Sequence, residues 1–163
     1  MIGRELKPDL SEIKVGLNPL SNSLVLRIRK IPSGSYKPDK EGILMPVEIE
    51  YEQAELYKAF CNRETRLVLA QMKYRELQLW QWIMQTIDYG QDVIWIDVKR
   101  YKRECGIKDD KTFRMAVMGL AKCLFIAPCM AYKNTYFINP ACGFKGSRAN
   151  KYPDKINHVS DSE

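Results

Sequence analysis

DVIWIDVKRYKRECGIKDDKTFRMAVMGLAKCLFIAPCMAYKNTYFINPACGFKGSRANK, residues 92–151, decides the fold. Its opening run is β-branched and aromatic, the composition of a buried strand. Asp97 can cap the helix that follows, in which Val98, Tyr101 and Cys105 share one face. Gly106 followed by Ile107 is a helix stop: a left-handed residue, then an apolar contact back onto the helix. Asp109 or Asp110 caps a second helix with a core stripe of Phe113, Val117, Leu120 and Leu124. Its opposite face carries Lys111, Arg114, Met115, Met118 and Lys122. FIAPCMAYK and TYFIN then read as two strands around a tight connection near Lys133 and Asn134. Strand, helix, turn, helix, hairpin is the order of a winged helix-turn-helix, which lays its second helix in the DNA major groove.

The run YFINPACGFKGSR, directly behind that pattern, resembles the C-terminal signature of RepL-type plasmid replication initiators. The resemblance spans about residues 75–150 and rests on Ile138, Asn139 and Pro140, then Phe144, Lys145 and Gly146. It implies a winged-helix protein that binds a replication origin in double-stranded DNA and recruits replication proteins. Helix-turn-helix patterns are common; the Asn-Pro and Phe-Lys-Gly combination is rarer. The first 50 residues carry no such likeness.

Charge points to the same partner. Twelve basic residues lie between Val98 and Lys151 against Glu104, Asp109 and Asp110, leaving nine net positive charges there, whereas the whole chain carries +6. A basic cluster confined to one motif suits a polyphosphate, because counterion release drives such binding. The same two aspartates set negative charge where the second helix would approach DNA, and capping needs only one of them.

With 163 residues, 45% of them apolar and 28% charged, the chain can bury an ordinary core. No apolar run approaches a membrane span, and MIGRELKPDLSE lacks a signal-peptide core, so the expected compartment is the cytoplasm of a bacterial host. Five cysteines without a Cys-x-x-Cys pair, and His158 as sole histidine in a polar tail, argue for reduced thiols and no metal site.

In chain order, residues 1–51 read as an arm and a β-hairpin. SLVLRIRKI (23–31) and ILMPVEIEY (43–51) alternate as half-buried strands around the loop PSGSYKPDKEG, 32–42. If they pair, Glu48 and Glu50 can lie opposite Arg27 and Arg29, and Pro46 marks an edge strand. Residues 52–62 read as helix, 63–73 as helix or strand. RELQLWQWIMQTIDYG (75–90) is a helix whose stripe of Leu79, Trp80, Ile83, Met84 and Ile87 assigns its tryptophans to the core rather than to base stacking. The winged-helix domain is expected over 52–152, with a flexible tail at 153–163, in an α+β fold.

Enzyme chemistry lacks its parts. One tail histidine gives no Ser-His-Asp or Cys-His arrangement, and no phosphate loop or dinucleotide fingerprint is present. No catalytic residue and no cofactor are therefore expected. For binding, Lys111, Thr112, Arg114, Met115, Met118 and Lys122 form the recognition helix, with Arg114 aimed at guanine and the methionines at thymine methyls. Lys99, Arg100, Arg103, Lys145 and Arg148 are assigned to the DNA backbone, and Tyr132, Lys133 and Asn134 to the wing tip. Three readings stand beside one another: origin-binding initiator, winged-helix transcription regulator, and an assembly protein, for example of a phage, that uses the fold for protein contacts. Self-association through the hairpin edge is compatible with all three.

Overall fold

The computed structural model describes residues 7–52 and 63–158. Its elements, in order, are β1 (Leu26–Pro38), β2 (Leu44–Glu52), α1 (Arg63–Gln71), α2 (Tyr74–Thr86), β3 (Val93–Trp95), α3 (Val98–Glu104) and α4 (Asp110–Lys122). Then come β4 (Ile126–Pro128), β5 (Thr135–Ile138), α5 (Arg148–Lys151) and β6 (Ile156–His158), with short 3-10 turns at Pro19–Ser21 and Pro153–Lys155. The fold is α+β. Two three-stranded sheets run in the orders β2-β1-β6 and β3-β5-β4. No helix among the described residues is long and apolar enough to cross a membrane.

The core is built on α2. Glu76 reaches back to accept the Lys73 N–H at 3.0 Å, holding the start of the helix. Leu79, Trp80, Trp82 and Ile83 then point inward, and Trp80 meets Phe125 edge-on with ring centroids 4.9 Å apart. Both tryptophans of this helix are core residues. The chain turns at Gly90, whose φ of +74° suits glycine and whose N–H donates to the Lys145 carbonyl at 2.7 Å.

α3 and α4 end in the same way, with different residues. After α3, Gly106 (φ +65°) lets the Ile107 N–H donate to the Lys102 carbonyl at 2.8 Å while the Ile107 side chain is buried. After α4, Leu124 takes the left-handed position (φ +60°) and the Phe125 N–H donates to the Leu120 carbonyl at 3.0 Å. Leu124 is consequently exposed, not the last member of the core stripe; Phe125 fills that place, and Phe113, Ala116 and Leu120 are the buried face of α4. The expected strand FIAPCMAYK shortens to Ile126–Pro128, and the connection to β5 widens to residues 129–134, with Asn134 at φ +56°.

The hairpin differs from its sequence reading in two respects. β1 runs on to Pro38, through much of the segment expected to be a loop, because a bulge absorbs Ser33–Ser35: Pro32 faces Glu48 and Tyr36 faces Pro46. That register sets Arg29 opposite Tyr51 and Lys30 opposite Glu50, so Glu48 and Glu50 do not face Arg27 and Arg29. β2 is an edge strand, as Pro46 requires. The hairpin root joins the main core, where Leu24 and Leu26 pack with Tyr152 and Ile156.

The expected flexible tail is the other correction. Ile156–His158 pair in parallel with Leu26–Ile28, and buried Tyr152 precedes them, so the chain is held to residue 158. The segment 63–73, open between helix and strand, is helical over Arg63–Gln71. The helix expected over 52–62 falls, from 53 onward, outside the described residues, as do 159–163.

Candidate nucleic-acid interface

α4 presents two unlike faces. Lys111, Met115, Met118 and Lys122, spaced i, i+4, i+7, i+11, form an exposed stripe opposite the buried Phe113, Ala116 and Leu120, with exposed Arg114 beside them. Thr112 is half-buried and tied into the cap: Asp109 accepts from its N–H at 2.7 Å and from its hydroxyl at 2.9 Å. These bonds hold the Asp109 carboxyl below its usual range, the backbone N–H first.

Asp110 has its own partner. Its carboxylate lies 2.6 Å from Lys102 Nζ on α3, and that hydrogen bond lowers its pKa. The negative charge that counted against a DNA face thus caps α4 at one residue and clips α3 to α4 at the next.

The cations expected to meet phosphate divide into three groups. Lys99, Arg103, Lys111, Arg114, Lys122 and Lys133 are exposed and have no ion-pair partner among the described residues. Arg100 is engaged: it donates to Glu104 at 2.8 Å and its guanidinium lies 5.9 Å from the Trp82 ring centroid. Glu104 in turn accepts the Trp82 indole N–H at 2.7 Å. Lys145 is exposed but donates to the carbonyls of Gln85 and Ile87 at the end of α2.

Arg148 belongs to none of them. It is 7% exposed and donates to the Pro140 carbonyl at 2.9 Å. Its assignment to the DNA backbone is corrected: burial in the fold removes it from solvent, where a phosphate would have to reach it. At the connection between β4 and β5, Tyr132 and Lys133 are exposed, and Met130 is nearly fully so. The Asn134 carbonyl instead accepts the Ile96 N–H at 2.9 Å, fixing the base of that loop to β3.

Sequence reasoning missed two features. A groove of about 420 Å³ lies between the first turn of α2 and α4, lined by Lys73, Tyr74, Arg75, Glu76, Lys111 and Met115 among others. α4 comes close here because Gly119 has no side chain; a Cβ there would lie 2.1 Å from the Glu76 carboxylate. The lone glycine inside a helical pattern was the available signal. On the far side, buried Asp92 accepts from Asn18 Nδ2 at 3.0 Å and from the Tyr152 hydroxyl at 2.5 Å, with Lys151 Nζ 3.6 Å away. A cleft of about 820 Å³ opens beside this node. Every charged group at the node is answered by another, which makes it a structural tie. No protein-family model, curated protein or solved structure matches the chain.

Proposed function

We propose that this chain binds double-stranded DNA through the exposed face of α4, as a winged helix-turn-helix replication initiator acting without enzymatic chemistry. The order β3, α3, α4, β4, β5, with β3 hydrogen-bonded to β5, supports a winged-helix reading. The observation that carries the proposal is the outward stripe of α4. A helix sealed on one face leaves Lys111, Arg114 and Lys122, which have no ion-pair partner among the described residues, around two exposed methionines on the other. Arg114 reads guanine, Met115 and Met118 contact thymine methyls, and Lys99, Arg103 and Lys133 hold the backbone. The origin as target rests on the likeness of YFINPACGFKGSR to RepL-type initiators.

Selection from randomised duplexes spiked with origin fragments tests this. Enrichment of one site, lost with Arg114→Ala, is the expected result. No retention of any duplex at low salt overturns it. The α2–α4 groove favours a second reading, docking of a protein on the same face, since Tyr74 and Met115 give it an apolar lining. In that case substitution of Tyr74 removes the biological activity while Lys99→Ala and Arg103→Ala leave it intact.

A further inference from the structure

We infer that a pocket at the C-terminal end of α2 takes one unpaired nucleobase, stacked on Trp95, so that the chain holds single-stranded DNA as well as duplex. Of its three tryptophans, Trp80 and Trp82 are sealed in the core and only Trp95 is half-buried. Strand alternation explains this: Ile94 and Ile96 face the core, so Trp95 between them stands on the other face of β3. A cavity of about 320 Å³ opens there, walled by Leu10, Trp82, Ile87, Val93, Ile94 and Trp95. That is room for one small planar group, at the lower end of the size of ligand pockets.

Charge and hydrogen bonding select the occupant. The two cations at the pocket are already answered: Lys7 lies 2.9 Å from Asp88, and Arg100 donates to Glu104 at 2.8 Å. The cavity therefore suits an uncharged ring rather than a phosphate. Asp97 and Thr86, also on its wall, keep spare capacity. Asp97 accepts the Arg100 N–H through Oδ1, and its Oδ2 has no hydrogen-bond partner among the described residues. The Thr86 hydroxyl has no partner among them either. An acceptor and a hydroxyl match the edge of a base, which sets N–H donors beside carbonyl oxygens.

The backbone of such a strand has its own contacts. Lys99 follows two residues after Asp97, and Lys133 precedes Asn134, whose carbonyl holds the Ile96 N–H. Both lysines are exposed and have no ion-pair partner among the described residues. An aromatic ring flanked by free cations is how single strands are bound: the ring takes a base and the cations take phosphates. An aromatic side chain of a peptide could stack on Trp95 but would leave these lysines unanswered. A base inside a duplex has both faces covered, so only a separated strand reaches the pocket. The pocket lies roughly 18 Å along α2 from Tyr74 and the groove beside α4, so the stacking site is distinct from the helix proposed to read duplex.

Titration of the full chain with oligothymidylate at low salt, followed by tryptophan fluorescence, tests this. Quenching is expected, because Trp95 is the ring that a base reaches. Trp95→Ala should weaken binding about 5- to 150-fold and abolish the quenching. Thr86→Val, which keeps the shape of the side chain, should weaken it about 2- to 10-fold with thermal melting unchanged. A strand of equal length made of abasic sites should bind more weakly than oligothymidylate and leave the fluorescence as it was. Native chain that shows no quenching overturns the inference; so does quenching that survives Trp95→Ala, or an abasic strand held as tightly as oligothymidylate. If Trp95→Ala does not fold, Thr86→Val with native affinity overturns it as well. A chain that retains duplex DNA yet fails these tests loses this pocket and keeps the α4 reading.

Discussion

The DNA reading makes a quantitative demand on salt. Lys99, Arg103, Lys111, Arg114, Lys122 and Lys133 are the six exposed interface cations whose side chains have neither an ion-pair nor a hydrogen-bond partner among the described residues. If the five other than Arg114 each neutralise one phosphate, the slope of log affinity against log salt is about −4.5, and raising salt fourfold weakens binding about 500-fold. Removing one cation that only holds phosphate, as in Lys122→Ala, should flatten the slope by about 0.9 on every duplex. Arg114→Ala, which removes a base contact, should change the slope less and weaken the preferred site by about 1–3 kcal/mol, roughly 5- to 150-fold, while leaving random DNA nearly alone. Arg100→Ala should change the slope less than Lys122→Ala, because Glu104 already neutralises Arg100. Fluorescence anisotropy titrations at several salt concentrations measure all four proteins on one preferred and one scrambled duplex. A native slope shallower than about −2, or equal losses for Arg114→Ala on both duplexes, refutes the assignment.

Three further predictions concern the scaffold. Tyr152→Phe removes a hydrogen bond to the buried Asp92 carboxylate and should lower stability by about 1.5–3 kcal/mol, roughly 3–12 °C in Tm by circular dichroism. Burial first, then Asp92, pushes the Tyr152 pKa up, so its neutral hydroxyl stabilises fully below about pH 10. Above that pH the unfolded chain loses the proton first and stability falls, a decline that Tyr152→Phe should reduce in part, Tyr101 being raised by burial as well. Gly143→Ala places a Cβ 2.8 Å from the Trp80 ring and should cost about 1–3 kcal/mol in urea unfolding, since that ring has nowhere to go. Arg148→Met should lose about 1.5–3 kcal/mol of stability with the salt slope of DNA binding unchanged; a flattened slope would return Arg148 to the interface.

Local signals were legible in the sequence wherever the chain contacts itself within a turn or two. Asp97 and Asp109 cap their helices, Gly106 and Ile107 end α3, and the tryptophan stripe of α2 is buried. The outward face of α4 followed from the same periodicity. Distant backbone pairing was not legible. Ile156–His158 is too short and too polar to announce a strand, and it is one only because β1 offers an open edge in parallel. Arg148 looked like a surface cation because nothing in its neighbours tells that Pro140 will present a carbonyl to it. Asn18 reads as a loop residue, and its burial depends on an aspartate 74 positions away. Leu124 misled through its chemistry: an apolar residue at the right spacing was forced outward by the geometry of the helix end.

The Asp92 node has a consequence for the order of events during synthesis. It joins Asn18 to Tyr152, which leaves the ribosome 134 positions later, roughly 7–27 s at about 5–20 residues per second. Asn18 meets Asp92 only 74 positions on and the Ile138 carbonyl only 120 positions on. Until Tyr152 and the segment behind it emerge, the node stays open and the hairpin root lacks the strand that will flank it. The helical middle, rich in short-range contacts, can form early, but the amino-terminal third must wait for the carboxyl-terminal segment. Ribosomes stalled before Tyr152 would therefore hold a nascent chain whose α4 face is already presented while its N-terminal arm is still unlatched.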